Sequence, residues 1–376
     1  MQCVDKKTHS NSSQARFIVT PMTNDPKPLR RGWTTGACAT AATRAALMAL
    51  WGEGFPDKAR ITLPRGERPE FALSYTAMGT DVGDHWAEVG IIKDAGDDPD
   101  VTHGAEIRAR VTRSMGGVVF KAGAGVGTVT KAGLPIGVGE PAINPVPREM
   151  MTAQVVEMAA RLGQAADVEI TISIPDGDTI ALKTWNPRLG IIGGLSVLGT
   201  TGVVRPFSCA AWIASIHRGI DVARAEGLTH LSGCTGATSE RIVQAHHELS
   251  DAAMLDMGDF VGGMLKYLVK HPVPRVTIGG GIGKIAKLAQ GEMDLHSKRG
   301  QVDLQFWADR LGLPDIASAN TALEATQIAG PVFAQNVAQL ALETVNARFK
   351  TAADGTSISY DIIVIDRAGA ILATAS

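Results

Sequence analysis

Cysteine is scarce: four residues in 376, Cys3, Cys38, Cys209 and Cys234, none in C-x-x-C spacing. That excludes a disulfide framework and a structural zinc site, and it reads as the usage of a reduced, cytoplasmic protein. No apolar run approaches the roughly 18 residues of a membrane span. The patch Phe17-Ile18-Val19 behind Asp5, Lys6 and Lys7 is too modest for a signal-peptide core. Neither sign of charge dominates, since 36 Lys+Arg against 38 Asp+Glu leave −2. The chain thus has no electrostatic footprint for nucleic acid or an anionic membrane. A soluble protein with small-molecule partners is expected, with homo-oligomers an open option.

Glycine is what the sequence has in excess, 42 of 376 residues, or about 11% against a usual ~7%. The glycines sit between apolar segments, which asks for tight turns and close backbone approaches. The length points to two domains. Residues 1–28, polar and ending in Asn24-Asp25-Pro26-Lys27-Pro28, read as a disordered tail. Residues 29–190 read as an α+β domain: a small-residue helix behind Thr34-Thr35, short strands from Ile61 to Thr130, a helix from about Pro147 to Leu162, and a hairpin of Val168–Ile174 with Thr179–Thr184. After the connector around Asn186-Pro187 and Gly193-Gly194, residues 191–376 alternate longer helices with short apolar strands. This predicts an α/β domain, Rossmann-like, with a mostly parallel sheet.

Three stretches carry candidate chemistry. Around Gly123, Gly125, Gly127 and Thr128 alternating glycines expose successive N–H groups, and Lys121, Lys131 and Arg148 flank them; an anion cradle and tight strand packing are both open. Gly279-Gly280-Gly281-Ile282-Gly283-Lys284 follows a strand and opens a helix. Gly281, Gly283 and Ala286 fit G-x-G-x-x-A, but Asp303, the acid about 20 residues on, starts a helix instead of ending a second strand. The loop from Lys93 to Glu106 gathers Asp94, Asp97, Asp98, Asp100 and His103, suited to acid/base work or to a solvated turn, and it fails the calcium-loop pattern. Cys38 and Cys234 read as buried thiols. His246, His247 and His296 default to surface or capping roles, with a ligand as the other use for His296. No metal site is expected.

Taken together, Arg31-Gly32-Trp33-Thr34-Thr35-Gly36-Ala37-Cys38-Ala39, Leu63-Pro64-Arg65-Gly66, Lys93 to Gly104, the glycine cradle with Gly139-Glu140-Pro141-Ala142-Ile143-Asn144-Pro145, and Gly283-Lys284 with His296-Ser297 resemble the CbiD family over residues 29 to 376. These are cobalt-precorrin-5B C-1 methyltransferases of corrin-ring biosynthesis. The resemblance implies methyl transfer from S-adenosylmethionine to a polycarboxylate tetrapyrrole, with any cobalt belonging to the substrate. Under it, Asp94, Asp97 and His103 are the expected proton relay, and Gly123, Gly125, Gly127, Thr128, Gly281 and Gly283 the donor-facing residues. Arg31, Thr34, Thr35, Arg65, Lys93, Lys121, Lys131, Glu140, Asn144, Arg148, Lys284 and His296 are the expected substrate contacts. A nicotinamide-dependent oxidoreductase and a non-catalytic tetrapyrrole carrier are the alternatives.

Overall fold

The computed structural model describes residues 28–81 and 84–376, so all of the expected tail except Pro28 lies outside the described residues. Thr34 opens helix α1 (Thr35–Leu50), its Oγ1 accepting the Ala37 N–H at 3.2 Å. Ala37, Ala39, Ala41, Ala42, Ala45 and Ala46 are all fully buried. Side chains this small let α1 lie flat between a sheet and a second helix, α2 (Pro145–Leu162). Pro145 occupies the first turn of α2, where a missing N–H costs nothing, and Gly163 ends it at φ 63°.

The sheet beneath α1 contains β1 (Tyr75–Asp81), β2 (Asp84–Ile92), β3 (Glu106–Arg113), β4 (Val118–Ala122) and β5 (Val168–Ser173) in the order β1-β2-β3-β5-β4. Only the β5–β4 pair is parallel, as a crossover through α2 requires. The second arm of the expected hairpin is absent: in place of a strand at Thr179–Thr184 there is a five-residue helix, Gly177–Ala181. The reason is positional. β5 already has β3 on one edge and β4 on the other, so no edge remains for a hairpin partner. The strand expected at Ile61–Leu63 lies just upstream, at Lys58–Arg60, paired with Glu70–Ala72.

The second half alternates helix and strand: α3 (Cys209–Ala225), β6 (His230–Cys234), α4 (Ala237–His247), β7 (Met254–Leu255), α5 (Val261–Leu268), β8 (Arg275–Gly281), α6 (Ile282–Ala289), α7 (Leu304–Leu311), α8 (Ala322–Ala329), α9 (Pro331–Phe349), β9 (Ser359–Ile365) and β10 (Ile371–Ala375). Its sheet runs β7-β6-β8-β9-β10, parallel except for β10. The protein is thus mixed α/β with mixed sheets. The buried residues of one large core all lie between Ala37 and Val197, and those of the other between Ile216 and Ala375.

Past the expected boundary at 190 the chain still pairs with the segments before it. Ile191–Ile192 pairs with Thr128–Val129, Gly194–Leu195 with Gly125–Val126, and Val203–Val204 with Gly32–Trp33. Leu195 and Val197 belong to the first core. Of the stretch read as a connector from Pro and Gly, Ile191–Ile192 and Gly194–Leu195 form short strands in two-stranded pairs.

Candidate functional site

The acidic loop between β2 and β3 is a knot of internal bonds. Lys93 is 2% exposed, and its Nζ donates to the Asp100 carboxylate and the Thr102 hydroxyl. Burial alone would push the Asp100 carboxyl up, but the Lys93 ammonium and the Thr102 donors outweigh it and hold it below the usual carboxylate range. Lys93 therefore pins the loop, and its charge is not presented to a ligand. Asp94 accepts from the Arg30 guanidinium through both oxygens, Nη2 to Oδ1 at 2.9 Å. These bonds, with the Gly96 N–H, keep its carboxyl below its ordinary value. Asp97 Oδ2 takes the Arg30 N–H at 2.6 Å, and Asp98 Oδ1 takes the Phe207 N–H at 2.8 Å. His103 Nδ1 accepts the Ala95 N–H at 3.1 Å, which leaves the proton on Nε2 of a half-exposed ring. Gly96 has φ +70°, and a Cβ there would lie 2.2 Å from the Arg30 carbonyl. The loop and the strand before α1 run backbone against backbone.

Several other expected residues gather round this loop. Gly199 abuts Thr34, Gly202 abuts Leu63 beside Arg65, and Gly36 packs on Pro147 and the Leu198 carbonyl. The Asn144 N–H donates to the Val197 carbonyl at 2.9 Å. The N-termini of α1 and α2 therefore meet at residues 197–202, next to the Asp94–His103 turn. Arg31 and Arg65 are exposed there. Thr34 and Thr35 are buried, and their helix start is already bonded: the Thr34 and Gly36 amides go to the Gly202 and Leu198 carbonyls, each at 3.0 Å. The hydroxyl and amides expected to greet a ligand hold the chain to itself.

Backbone packing accounts for the first glycine stretch. A Cβ on Gly125 would sit 1.9 Å from the Ile174 carbonyl, on Gly123 2.2 Å from Ser173 Oγ, and on Gly127 2.5 Å from the Ile191 side chain. The hollow expected over these glycines is filled by residues 172–177 and 191–194. Arg148 is committed as well, with Nε to the Ile143 carbonyl at 2.8 Å and Nη1 to Glu140 at 2.9 Å. Lys131 bonds Glu226 at 2.9 Å. Glu226 ends α3, and 17 residues at 1.5 Å each put it about 25 Å from the end that meets the acidic loop. Lys131 is a strut between lobes, remote from that loop. Lys121 lies exposed on β4.

The second glycine cluster differs. Gly279 and Gly280 are covered by Val243, Cys234 and Thr235, but a Cβ on Gly281 would meet nothing within 4 Å, and on Gly283 only Ala322 Cβ at 4.0 Å. Gly281 stands at the carboxyl end of β8, and α6 begins there without a side-chain cap. Beside it α4 begins at Gly236, also uncapped, at the carboxyl end of β6. β6 and β8 are neighbours at the point where the strand order reverses, the usual ligand edge of a parallel sheet. Two helix starts without a side-chain cap among the described residues meet there, an arrangement that favours an anion. Lys284 Nζ is held by Asp259 and the Leu295 carbonyl, at 3.0 Å to the latter, while His296 is exposed in the next turn, its Nδ1 accepting the Lys298 N–H. Asp303 caps α7 by accepting the Phe306 N–H at 2.9 Å, so the acid a dinucleotide fold would need is occupied elsewhere.

Sequence reading missed what joins these regions. Phe207 is 66% exposed, carries φ 54°, unusual for an aromatic residue, and links the acidic loop to the start of α3. Trp212 on the first turns of α3 is 45% exposed, donates to the Asp256 carbonyl at 2.8 Å and leans on Phe260. Arg188 reaches from the first lobe to Glu240 of α4 at 2.6 Å. Burial, with Glu240 nearby, raises the Asp256 carboxyl above its ordinary value. The only signal for Phe207 and Trp212 was aromatic rarity. Cys38 and Cys234 are buried, and burial pushes both thiols up to about 12, so neither is a nucleophile at neutral pH. Among the described residues no helix is long and apolar enough to cross a membrane.

A solved structure described as the cobalamin biosynthesis protein (cbiD) from Archaeoglobus fulgidus is 26% identical over 77% of this chain and 82% of its own, with a TM-score of 0.38, too low to transfer any site. Proteins described as cobalt-precorrin-5B C(1)-methyltransferase are far more similar. That of Paramagnetospirillum magneticum is 54% identical over 93% of this chain and 99% of its own length. Those of Brucella anthropi and Rhodospirillum rubrum are 56% and 53% identical, over 92% and 93% of this chain. The CbiD family model matches residues 22–206. With relatives this similar along nearly its whole length, the chain belongs to the CbiD family.

Proposed function

We propose that the chain transfers a methyl group from S-adenosylmethionine to C-1 of cobalt-precorrin-5B, in the building of the corrin ring of cobalamin. The single observation that carries this is identity of 53–56% to relatives of that name over more than nine-tenths of the chain. The second lobe is read as a Rossmann-like layer and the first as an α+β domain, with their boundary moved to about residue 206.

The donor supplies an activated methyl on a sulfonium, so the protein has only to align it with a carbon nucleophile and keep water away. The edge at Gly281 and Gly283 is the proposed donor seat, because it leaves room over the backbone and offers uncapped helix amides to a carboxylate. The macrocycle would lie across the mouth between the lobes, its acid side chains met by Arg31 and Arg65 and by the His296 turn. Asp97, whose Oδ1 accepts no bond from the described residues, and His103 Nε2 are the proposed proton relay. Asp94 positions the loop through Arg30. The glycines at 123, 125 and 127, with Thr128, Glu140, Asn144 and Arg148, shape the wall behind it.

The test is incubation of purified protein with methyl-labelled S-adenosylmethionine and a cobalt-precorrin mixture. Label in the macrocycle is expected, in a product made at C-1. Ring binding without label would return the carrier reading, and quenching of NADH fluorescence on titration would return the oxidoreductase.

A further inference from the structure

At the end of the second sheet opposite the proposed donor seat, three side chains from separate elements converge on one spot. His230 is the first residue of β6, Asp361 the third of β9, and His247 the last of α4, which packs over that face. One ligand atom from each lies within 4.8 Å of the other two. The strand register builds this: His230 pairs with Arg275 and Thr277 with Asp361, so all four side chains emerge on one face of neighbouring strands.

Asp361 is buried and the two histidines are half-buried, and the cluster is incompletely satisfied. His247 Nε2 is shut off from solvent and has no hydrogen-bond partner among the described residues. Such a nitrogen calls for an explanation, because an orphan polar atom costs free energy that a ligand would recover. His230 Nε2 lies 2.8 Å from Thr277 Oγ1, and that hydroxyl also faces Asp361 Oδ2 at 3.1 Å. Asp361 is 5% exposed, and Arg275 Nε donates to its Oδ2 at 2.6 Å, with Oδ1 taking no donor from the described residues. The same Oδ2 faces His230 Nε2 at 4.0 Å, so the Arg275 bond fixes the carboxylate beside that ring.

We propose that His230, His247 and Asp361 bind one divalent ion of the zinc, cobalt and nickel class, clasping α4 to the sheet. Two imidazoles and one carboxylate suit that class better than magnesium or calcium, which prefer oxygen alone. At metal–ligand distances of 2.0–2.1 Å tetrahedral ligands sit roughly 3.4 Å apart, so closure asks a movement of about an ångström from His247 at a helix end. Lying at the amino ends of the strands, the ion would serve stability and take no part in methyl transfer.

The experiment strips the full-length protein with a chelator and titrates cobalt(II) chloride. One equivalent should bind with the intense visible absorption of a four-coordinate ion, zinc should displace it, and the unfolding temperature should rise. His247→Gln should weaken binding at least tenfold with unchanged circular dichroism, and Asp361→Asn should do the same; His85→Ala, an exposed histidine elsewhere, should change nothing. Absence of a saturable one-equivalent site, or a site that survives His247→Gln intact, overturns the proposal. The readout is independent of the methyl-transfer reading, so either can fail without the other.

Discussion

The two glycine-rich stretches look alike as text and are opposites in space. At Gly123, Gly125 and Gly127 the missing Cβ atoms are replaced by other backbone, so glycine there serves chain-to-chain contact. At Gly281 and Gly283 the missing Cβ atoms face open space at the end of a parallel strand. Glycine thus signals close approach, and only the topology decides whether what approaches is another strand or a ligand.

The sharpest way to break this contrast is Gly125→Ala. With φ +73° and a carbonyl 1.9 Å from the added carbon, the variant should lose more than about 4 kcal/mol, seen as insoluble expression or a collapsed unfolding temperature. A variant of ordinary stability would mean the first stretch is not packed as described. Asp100→Asn comes next, because it leaves the Lys93 ammonium buried and unpaired, at about 3 kcal/mol by denaturant titration. The same carboxyl gives a pH signature. Its folded value is depressed, so its contribution is present above the unfolded carboxylate range near pH 4 and is lost as the pH falls through the folded value. Acid unfolding should therefore be flatter in the variant than in the parent.

Asp97→Asn keeps the oxygen that accepts the Arg30 N–H but removes the base, so turnover should fall about 100-fold with KM nearly unchanged. Parallel losses in both would reassign Asp97 to folding. Gly281→Ala, at φ −65° with nothing within 4 Å, should cost under about 1 kcal/mol of stability yet weaken the methyl donor about tenfold in equilibrium dialysis. Unchanged donor affinity would remove the contrast with Gly125. Least of all, Lys131→Ala severs a strut with both partners about 30% exposed and should lower the unfolding temperature by a few degrees at most, activity intact.

Much of the second lobe was legible because its helices carry caps and punctuation at their ends: Ser208, Asp303, Thr321 and Pro331 all mark helix starts. The first lobe was less so, since its short strands take partners far along the chain. Nothing local says that Gly194 will lie on Gly125, and the local reading of Pro175-Asp176-Gly177-Asp178 as a hairpin turn was defeated by a strand with both edges taken. At the site, residue type was legible and commitment was not. Lys93, Lys131 and Arg148 looked like free cations and are internal ties, while Phe207 and Trp212 gave no motif at all.

The bond from Phe207 N–H to Asp98 has a mechanical corollary. It fastens the residue just ahead of the cap of α3 to the neighbour of Asp97. Any tilt of that helix against the first lobe must therefore either drag the carboxylate turn along with it or snap a single amide tether.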